Sequence, residues 1–276
     1  MRDNGRPAVT GPEMDAIRDR LVARLTMGRE LRVAGDYMAA AVVLRAAVTH
    51  AEAAFGPDST QLGRLLNELG IVGKYAGDFV EAELAYRRAL AIEDRCGRAG
   101  GANAASILHN LAGLAHARGD ARAALPLALR GIGIRTALSE DDPGGLAADR
   151  AALAAILVDL GEHGWARAVL AQLLHDGGFR YDTAVALHNL GSLQFREGNT
   201  AEAAVTLRQA LALKAAELGR RHPDLAVTLH NLASCQQRLG KRRSARRHLK
   251  QAISILEGNV TEDHPSLAAC RLLAQQ

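Results

Sequence analysis

Six glycines recur along the chain at an almost constant interval. The steps between successive members are 42, 42, 42, 37 and 42, and an alanine follows each glycine at a fixed offset of five. A period of this size indicates a stack of similar modules rather than one globular core. The function of such a stack depends on the surface that its modules present together. The six positions are Gly35, Gly77, Gly119, Gly161, Gly198 and Gly240.

Each module is predicted to be a pair of helices. In the second module Leu66, Leu69, Gly70 and Gly73 form the i, i+3, i+4, i+7 stripe of an amphipathic helix, and an aliphatic residue recurs at one fixed distance after every glycine of the column. The glycine is expected to end the first helix in the left-handed conformation. The next residue is expected to cap the second helix at Asp36, Asp78, Asp120 and Asn199.

The sequence also resembles a known repeat family. The segment HPDLAVTLHNLASCQQRLGKRRSARRHLKQAISILE at 222–257, the related HPSLA at 264–268 and the 42-residue period are similar to the tetratricopeptide repeats of the kinesin light chain type. The likeness extends from Met14 to the C-terminus, although no aromatic residue occupies the bulky column four residues before the glycine. The resemblance implies an all-α, right-handed α-solenoid of six helical hairpins plus a C-terminal capping helix.

Composition adds further expectations. With 48% hydrophobic but only 3% aromatic residues in a chain of 276, burial is expected through many small contacts between neighbouring modules. Residues 1–12 lack periodicity and are predicted to form a flexible tail, with 13–276 a single superhelical domain. No window approaches a membrane span and no signal peptide is recognised, so the cytoplasm is the expected location. The three cysteines lack metal-ligand spacing; they are interpreted as small core residues, and no metal or other cofactor is expected.

The resemblance further implies that the first helices of the modules line a concave groove. Ten and nine residues before the glycine, three modules carry the pair His-Asn, and an Asn side chain suits hydrogen bonding to the backbone of an extended peptide. Aromatic and basic side chains follow on the same face. The predicted peptide-binding groove consists of Asn67, Tyr75, His109, Asn110, His188, Asn189, Phe195, Arg196, His230, Asn231 and Arg238.

A structural role is the alternative for the same polar residues. Asn at these positions also stabilises helix contacts between ordinary repeats, and a histidine that faces a neighbouring helix is usually a hydrogen-bonded packing residue. Module four interrupts the polar face with Ala151, Ala152 and Ala155. Trp165, the only tryptophan, is expected to fill the space that these alanines leave.

Basic residues are concentrated in module six. Seven lie between positions 238 and 250 without an acid, so the rest of the chain carries a net charge of −3 against the total of +4. Three interpretations remain open: a solvated face, a surface for an acidic protein, and a nucleic-acid contact, which the scarcity of nearby aromatic residues disfavours. We call six of these residues the basic edge: Lys241, Arg242, Arg243, Arg246, Arg247 and Lys250.

Catalysis finds no support, since the sequence has no nucleophile elbow, no phosphate-binding loop and no zinc-protease motif. We expect a non-enzymatic protein-protein interaction module that binds a peptide or unstructured protein segment in the concave groove. The Ala, Arg and Gly bias favours a bacterial scaffold, accessory or regulatory protein. The alternative is a regulatory domain that acts on nucleic acid or an acidic partner through the basic edge. No membrane contact is expected, and an acidic loop at Glu140, Asp141 and Asp142 is compatible with a homo-oligomer.

Overall fold

The computed structural model describes residues 11–138, 143–177 and 180–276, and these ranges are helical apart from short connections. The helices are α1 (Gly11–Val33), α2 (Tyr37–Phe55), α3 (Thr60–Ala76), α4 (Phe79–Arg95), α5 (Ala102–Ala117), α6 (Ala121–Ala137), α7 (Pro143–Leu160), α8 (His163–Asp176), α9 (Arg180–Arg196), α10 (Thr200–Leu218), α11 (Leu225–Arg238), α12 (Arg242–Leu256) and α13 (Pro265–Ala274). Helices α1 to α12 pair as six hairpins, and α13 packs on α11 and α12. The predicted six hairpins and C-terminal helix are therefore confirmed.

The glycine column forms the turn inside each hairpin, and all six glycines have φ between 75° and 103°. A side chain rarely adopts this conformation, which explains the fixed position of glycine. Asp36, Asp78 and Asp120 accept hydrogen bonds from the backbone N–H three residues on and cap α2, α4 and α6 as predicted. The prediction is wrong for Asn199, whose side chain makes no capping hydrogen bond to α10. A neutral amide gains less than a carboxylate from the positive end of a helix.

Small side chains build the core, in clusters that neighbouring hairpins share. Alanine and leucine provide most of the buried residues, as the composition predicts. The prediction for Trp165 is wrong: its side chain is 45% exposed, because the first turn of α8 lies at the surface rather than against the alanines of α7. Cys235 and Cys270 are buried as predicted, whereas Cys96 is exposed at the end of α4.

The two ends of the stack contact each other. The backbone N–H of Thr261 donates a hydrogen bond of 2.8 Å to the carbonyl oxygen of Ala76, at the end of α3. A Cβ atom added to Gly77 would lie 2.4 Å from Oγ1 of Thr261, and one added to Gly35 would lie 2.5 Å from Cδ of Pro223. The turns of hairpins one and two thus meet the segments that precede α11 and α13, and the solenoid closes on itself.

The contact between the two ends of the stack occurs twice, one repeat period apart, because each end contributes the same motif twice. Gly35 and Gly77 on one side, and the His-Pro motifs at His222 and His264 on the other, are each separated by one full repeat period. In both motifs Nδ1 of the histidine accepts a hydrogen bond from the backbone N–H two residues on. This bond orders the loop that reaches the glycine turn.

Helix α2 corrects one expectation. The segment Tyr37–Phe55 has 19 residues and a mean hydropathy of 1.3, so by length and composition alone it is a candidate membrane span. A core helix meets the same criterion: Ala40, Leu44, Ala47 and Ala51 of α2 are buried against the neighbouring helices. The expectation that no window approaches a membrane span is therefore wrong.

Two sequence predictions concern residues outside the described ranges. The predicted tail lies there for residues 1–10, while Gly11 and Pro12 are the first residues of α1. The acidic loop of Glu140, Asp141 and Asp142 also lies outside these ranges.

Candidate functional site

A partly open space lies on the inner side of the stack, where the second cavity described below is lined by hairpins three to six and the first by hairpins one to four, hairpin six and the start of α13. It consists of two adjoining cavities with volumes of about 340 and 560 Å³. His116, Asp159, Asp224 and Val227 line both cavities, so the two are continuous. Volumes of this size are typical of ligand-binding sites. We call this space the chamber.

Asp159 connects three successive hairpins on the chamber wall. Its carboxylate lies 2.8 Å from Nε2 of His116 in α5 and accepts a hydrogen bond of 2.8 Å from the guanidinium of Arg196 in α9. The contact with His116, together with the nearby Arg196, lowers the pKa of Asp159 against the opposing effect of burial. Asp159 is therefore ionised at neutral pH, and its charge holds the two basic groups in place.

Asp224 forms a second charged cluster, at the start of α11. Its carboxylate accepts hydrogen bonds of 2.9 Å from Nζ of Lys214 and 2.8 Å from the hydroxyl of Tyr181. Burial would raise the pKa of Asp224, but the Lys214 ammonium and the Tyr181 hydroxyl outweigh burial and lower it. Neither Lys214 nor Tyr181 is predicted from the sequence, although both shape this wall.

His188 lies beside the Asp224 cluster and stays neutral. Its Nδ1 atom is 3.0 Å from Oγ1 of Thr228, in the neighbouring hairpin. Burial, helped by the nearby Lys214 ammonium, lowers the pKa of His188 to about 3. A histidine that binds no proton at neutral pH cannot act as a cationic anchor for a ligand. Its hydrogen bond gives it the packing role that the sequence leaves open.

The three predicted His-Asn pairs use their amide groups between repeats. Nδ2 of Asn110 donates to Oδ1 of Asn67 at 2.9 Å, and Nδ2 of Asn189 donates to the carbonyl oxygen of Ala151 at 2.8 Å. Nδ2 of Asn231 likewise donates to a serine hydroxyl of the previous hairpin at 3.1 Å. These contacts are the structural alternative considered from the sequence, and each uses one of the two N–H donors of its amide group.

Two cations on the inner side contact aromatic rings instead of acids. Nζ of Lys74 lies 4.6 Å from the ring centre of Tyr75, and the guanidinium of Arg238 lies 5.4 Å from that of Phe195. Tyr75 is in turn stacked on Tyr37, with ring centres 5.5 Å apart. Among the described residues no carboxylate forms an ion pair with either cation. Both charges are therefore available to an anionic group of a ligand.

The structure brings together most, but not all, of the predicted groove residues. One set lines the chamber: Tyr75, His188, Asn189, Phe195, Arg196, His230 and Asn231. His109 does not line it; its Nδ1 lies 2.8 Å from Oδ1 of Asp149, whose other oxygen accepts from the buried guanidinium of Arg135. Asn67 instead lines a separate cavity of about 430 Å³ near α1. Equivalent positions in different repeats therefore do not all face the same space.

The basic edge lies on the opposite, outer side of the stack. All six of its side chains are exposed on or just before α12. Within the part of the chain that the structure describes, none of them forms an ion pair. His248, on the same helix, lies 2.9 Å through Nδ1 from Oε1 of the buried Gln236. Burial and then the nearby Arg247 and Arg208 lower the pKa of His248.

Comparison with known proteins supplies the class. The family model for the tetratricopeptide repeat matches residues 19–93 and 177–258, more than half of the chain. The chain therefore belongs to the tetratricopeptide repeat family, as the sequence predicts. Members of this family are generally interaction scaffolds without catalytic activity, so the chain is a protein-protein interaction module. No curated protein matches it. The described residues contain no group of three metal-ligating side chains placed to hold an ion.

Solved structures share the fold at low sequence identity. A Rap protein complexed with Competence and Sporulation Factor has 16% identity and a TM-score of 0.56, covering 93% of this chain and 87% of that chain. The type IV pilus biogenesis factor PilW has 14% identity and a TM-score of 0.55, covering 90% and 96%. BtubC (BKLC) from P. vanneervenii has 21% identity and a TM-score of 0.50, covering 85% and 90%.

Proposed function

We propose that the protein binds a peptide or an unstructured segment of a partner protein inside the chamber. The observation that carries this proposal is Lys74, which lines the chamber and forms no ion pair with a described carboxylate. Arg238 lies outside the lining but contacts the ring of Phe195, which is part of the chamber wall. A short peptide that ends in a carboxylate, or that carries an acidic side chain, supplies the missing anion. Val227 and Phe195 offer apolar contact to its other side chains.

The charge balance supports an anionic ligand. Each acid of the chamber already holds its cation: Asp159 holds Arg196, and Asp224 holds Lys214. An added cation would meet the unpaired ammonium of Lys74 and no free acid, whereas an added anion would pair with Lys74. The structural neighbour Rap was solved in complex with Competence and Sporulation Factor, which supports the proposal that a stack of this fold holds a partner. By this proposal the chain acts as a cytoplasmic bacterial scaffold, accessory or regulatory protein without catalytic activity.

A substitution that fills the chamber tests the proposal. Val227 lines both cavities and is 41% exposed, so Val227→Trp should occupy the ligand space without disturbing a packed core. Val205, 48% exposed on α10, lines neither cavity, and Val205→Trp is the matched control. Peptides selected from a random phage-displayed library should bind the unchanged protein and Val205→Trp equally. Their affinity for Val227→Trp should fall at least about tenfold, equivalent to about 1.4 kcal/mol. Equal binding to both variants would place the peptide site elsewhere.

The alternative function, contact with nucleic acid or an acidic partner through the basic edge, concerns the outer surface. The dependence of binding on salt concentration distinguishes this function from peptide binding in the chamber. Binding to phosphates falls by orders of magnitude between low and moderate salt, because many counterions are released. Binding of one carboxylate in the chamber should weaken only modestly over the same range.

A further inference from the structure

A groove on the outer surface carries a second proposal, which does not depend on the chamber. The groove lies between α10 and α12, the second helices of hairpins five and six, and has a volume of about 610 Å³. Its walls carry Arg208 and Arg220 on one side and Lys241 and Arg247 on the other. Its apolar lining includes Leu211. We call this the outer groove.

Positive charge in the outer groove is uncompensated. Its described lining contains four cationic side chains and no acid. Within the described ranges, none of the four forms an ion pair. By contrast, several arginines on other second helices are paired, as Arg88 is with Glu52 and Arg167 with Glu197. An unpaired cluster of this kind raises the free energy of the isolated chain through self-repulsion.

Comparison of equivalent positions in the repeats shows that the outer groove lacks an acidic residue. In hairpins one and two, Arg45 of α2 crosses to α4 and donates two hydrogen bonds of 2.6 Å to the carboxylate of Glu81. Arg208 stands ten residues after its glycine, as Arg45 does, and Ser244 stands four residues after its glycine, as Glu81 does. The internal acid is thus replaced by serine in the last hairpin. The groove that an ion pair closes between α2 and α4 is left open between α10 and α12.

We propose that the outer groove binds an acidic amphipathic helix of a partner protein. Carboxylates on one face of that helix meet Arg208 and Arg247, and its apolar face meets Leu211 and Ala215. A helix laid into a groove between two helices reproduces the packing of the stack itself. Nucleic acid fits less well, because the lining has no Phe, Tyr or Trp side chain for base stacking and its apolar part would contact phosphates.

The variant Ser244→Glu tests the proposal by restoring the internal acid. The residue is the third of α12, where a negative charge is favourable, so the substitution should leave folding intact. The new carboxylate should pair with Arg208 as Glu81 pairs with Arg45, and should thereby close the groove. Ser254→Glu adds the same charge to an exposed position of the same helix outside the groove, and is the matched control.

The probe is a fluorescein-labelled model peptide about as long as α12, with leucine on one helical face and glutamate on the other. Anisotropy should show binding at least about tenfold tighter than that of a scrambled peptide of equal composition. Ser244→Glu should remove this preference, Arg247→Gln should weaken it, and Ser254→Glu should leave it unchanged. The proposal is overturned if the scrambled peptide, polyglutamate or single-stranded DNA binds as tightly, or if the two glutamate variants behave alike. Self-association that Ser244→Glu abolishes would also overturn it, since the occupant would then be a second copy.

Discussion

Three of the buried charged residues of this protein share one register position of the second helices. Sixteen residues after the glycine, the second helices of hairpins two, three and five carry Glu93, Arg135 and Lys214. All three are buried, with exposures of 2%, 7% and 5%. Each pairs with a charge further along the chain: Arg98, Asp149 and Asp224 respectively. A buried pair resists the loss of either partner strongly, so these bonds order the connection between successive repeats.

At the scale of single residues, this repeat position shows which buried charges the sequence predicts and which of their contacts it does not. When the repeats are aligned, Lys214, Glu93 and Arg135 occupy the same position. Three charged residues at one position of an otherwise apolar helix end can be recognised from the sequence alone. The partner of each charge is not predictable in this way, because the sequence separation differs in every pair: it is 5, 14 and 10 respectively. Asp224 becomes part of the chamber only through the tertiary position of Lys214.

His188 makes stability depend on pH. In the folded chain its pKa is lowered to about 3 from the ordinary 6.5, so it stays neutral over a range in which the unfolded chain binds a proton. Its contribution to the free energy of unfolding is complete above about pH 6.5 and is lost as the pH falls towards 3. His188→Gln should therefore reduce the fall in melting temperature between pH 7 and pH 5. The side chain of His175 is 85% exposed, and His175→Gln should leave that fall unchanged.

At the scale of one helix, the row of like charges on α12 lowers the stability of that helix. Arg242, Arg246 and Lys250 follow one another at i, i+4 spacing, and all three are exposed. Like charges so placed destabilise a helix by a few tenths of a kcal/mol per pair. The arrangement is the reverse of α4, where Arg87 and Glu83 form an i, i+4 ion pair.

Arg246→Gln should therefore raise the free energy of unfolding by a few tenths of a kcal/mol, because it removes two repulsive pairs at once. Arg87→Gln, which removes an attractive pair of the same spacing, should lower it slightly. Urea unfolding of the two variants beside the unchanged protein measures both effects. A decrease for Arg246→Gln would show that its side chain has a stabilising contact that outweighs the repulsion.

The elements themselves were the part most open to prediction. The glycine column, the Asp caps and the aliphatic stripe each act within one hairpin, so their physical cause is local and appears in the sequence. The predictions for Asn199 and Trp165 are wrong because the cause of their behaviour is not local. Whether an amide caps a helix or an indole is buried depends on the exact position of the neighbouring helix, and the repeat period does not specify it.

At the scale of the whole molecule, closure of the stack decides where the site lies. The sequence predicts equivalent inward positions in all repeats, but residues of the early hairpins reach the chamber only in the first cavity, and the second is lined by hairpins three to six. His109 and Asn67 occupy the predicted columns and still face other surroundings. Contacts between residues of widely separated hairpins, such as Thr261 with Ala76, depend on small rotations summed over the hairpins between them. A single sequence does not encode that sum in any local motif.

Gly77→Ala tests closure directly. The new methyl group would lie 2.4 Å from Oγ1 of Thr261, so the two ends should separate. Gly119 has a similar positive φ of 81° and no atom within 4 Å of an added Cβ, which makes Gly119→Ala the control for backbone strain alone. Both variants should lose roughly 1 kcal/mol or more of stability. Only Gly77→Ala should also increase the radius of gyration measured by small-angle X-ray scattering. An equal radius for the two variants would show that this contact does not hold the ends together.

The meeting of the two ends has a kinetic consequence for any guest of the chamber. An open trough releases its occupant sideways, at a rate that depends only on the contacts being broken. Under the proposed function, the contacts of the loops at Pro223 and Thr261 with the glycine turns restrict sideways release of a bound peptide. We therefore expect the dissociation rate to depend on how readily these contacts open as well as on the affinity of the peptide.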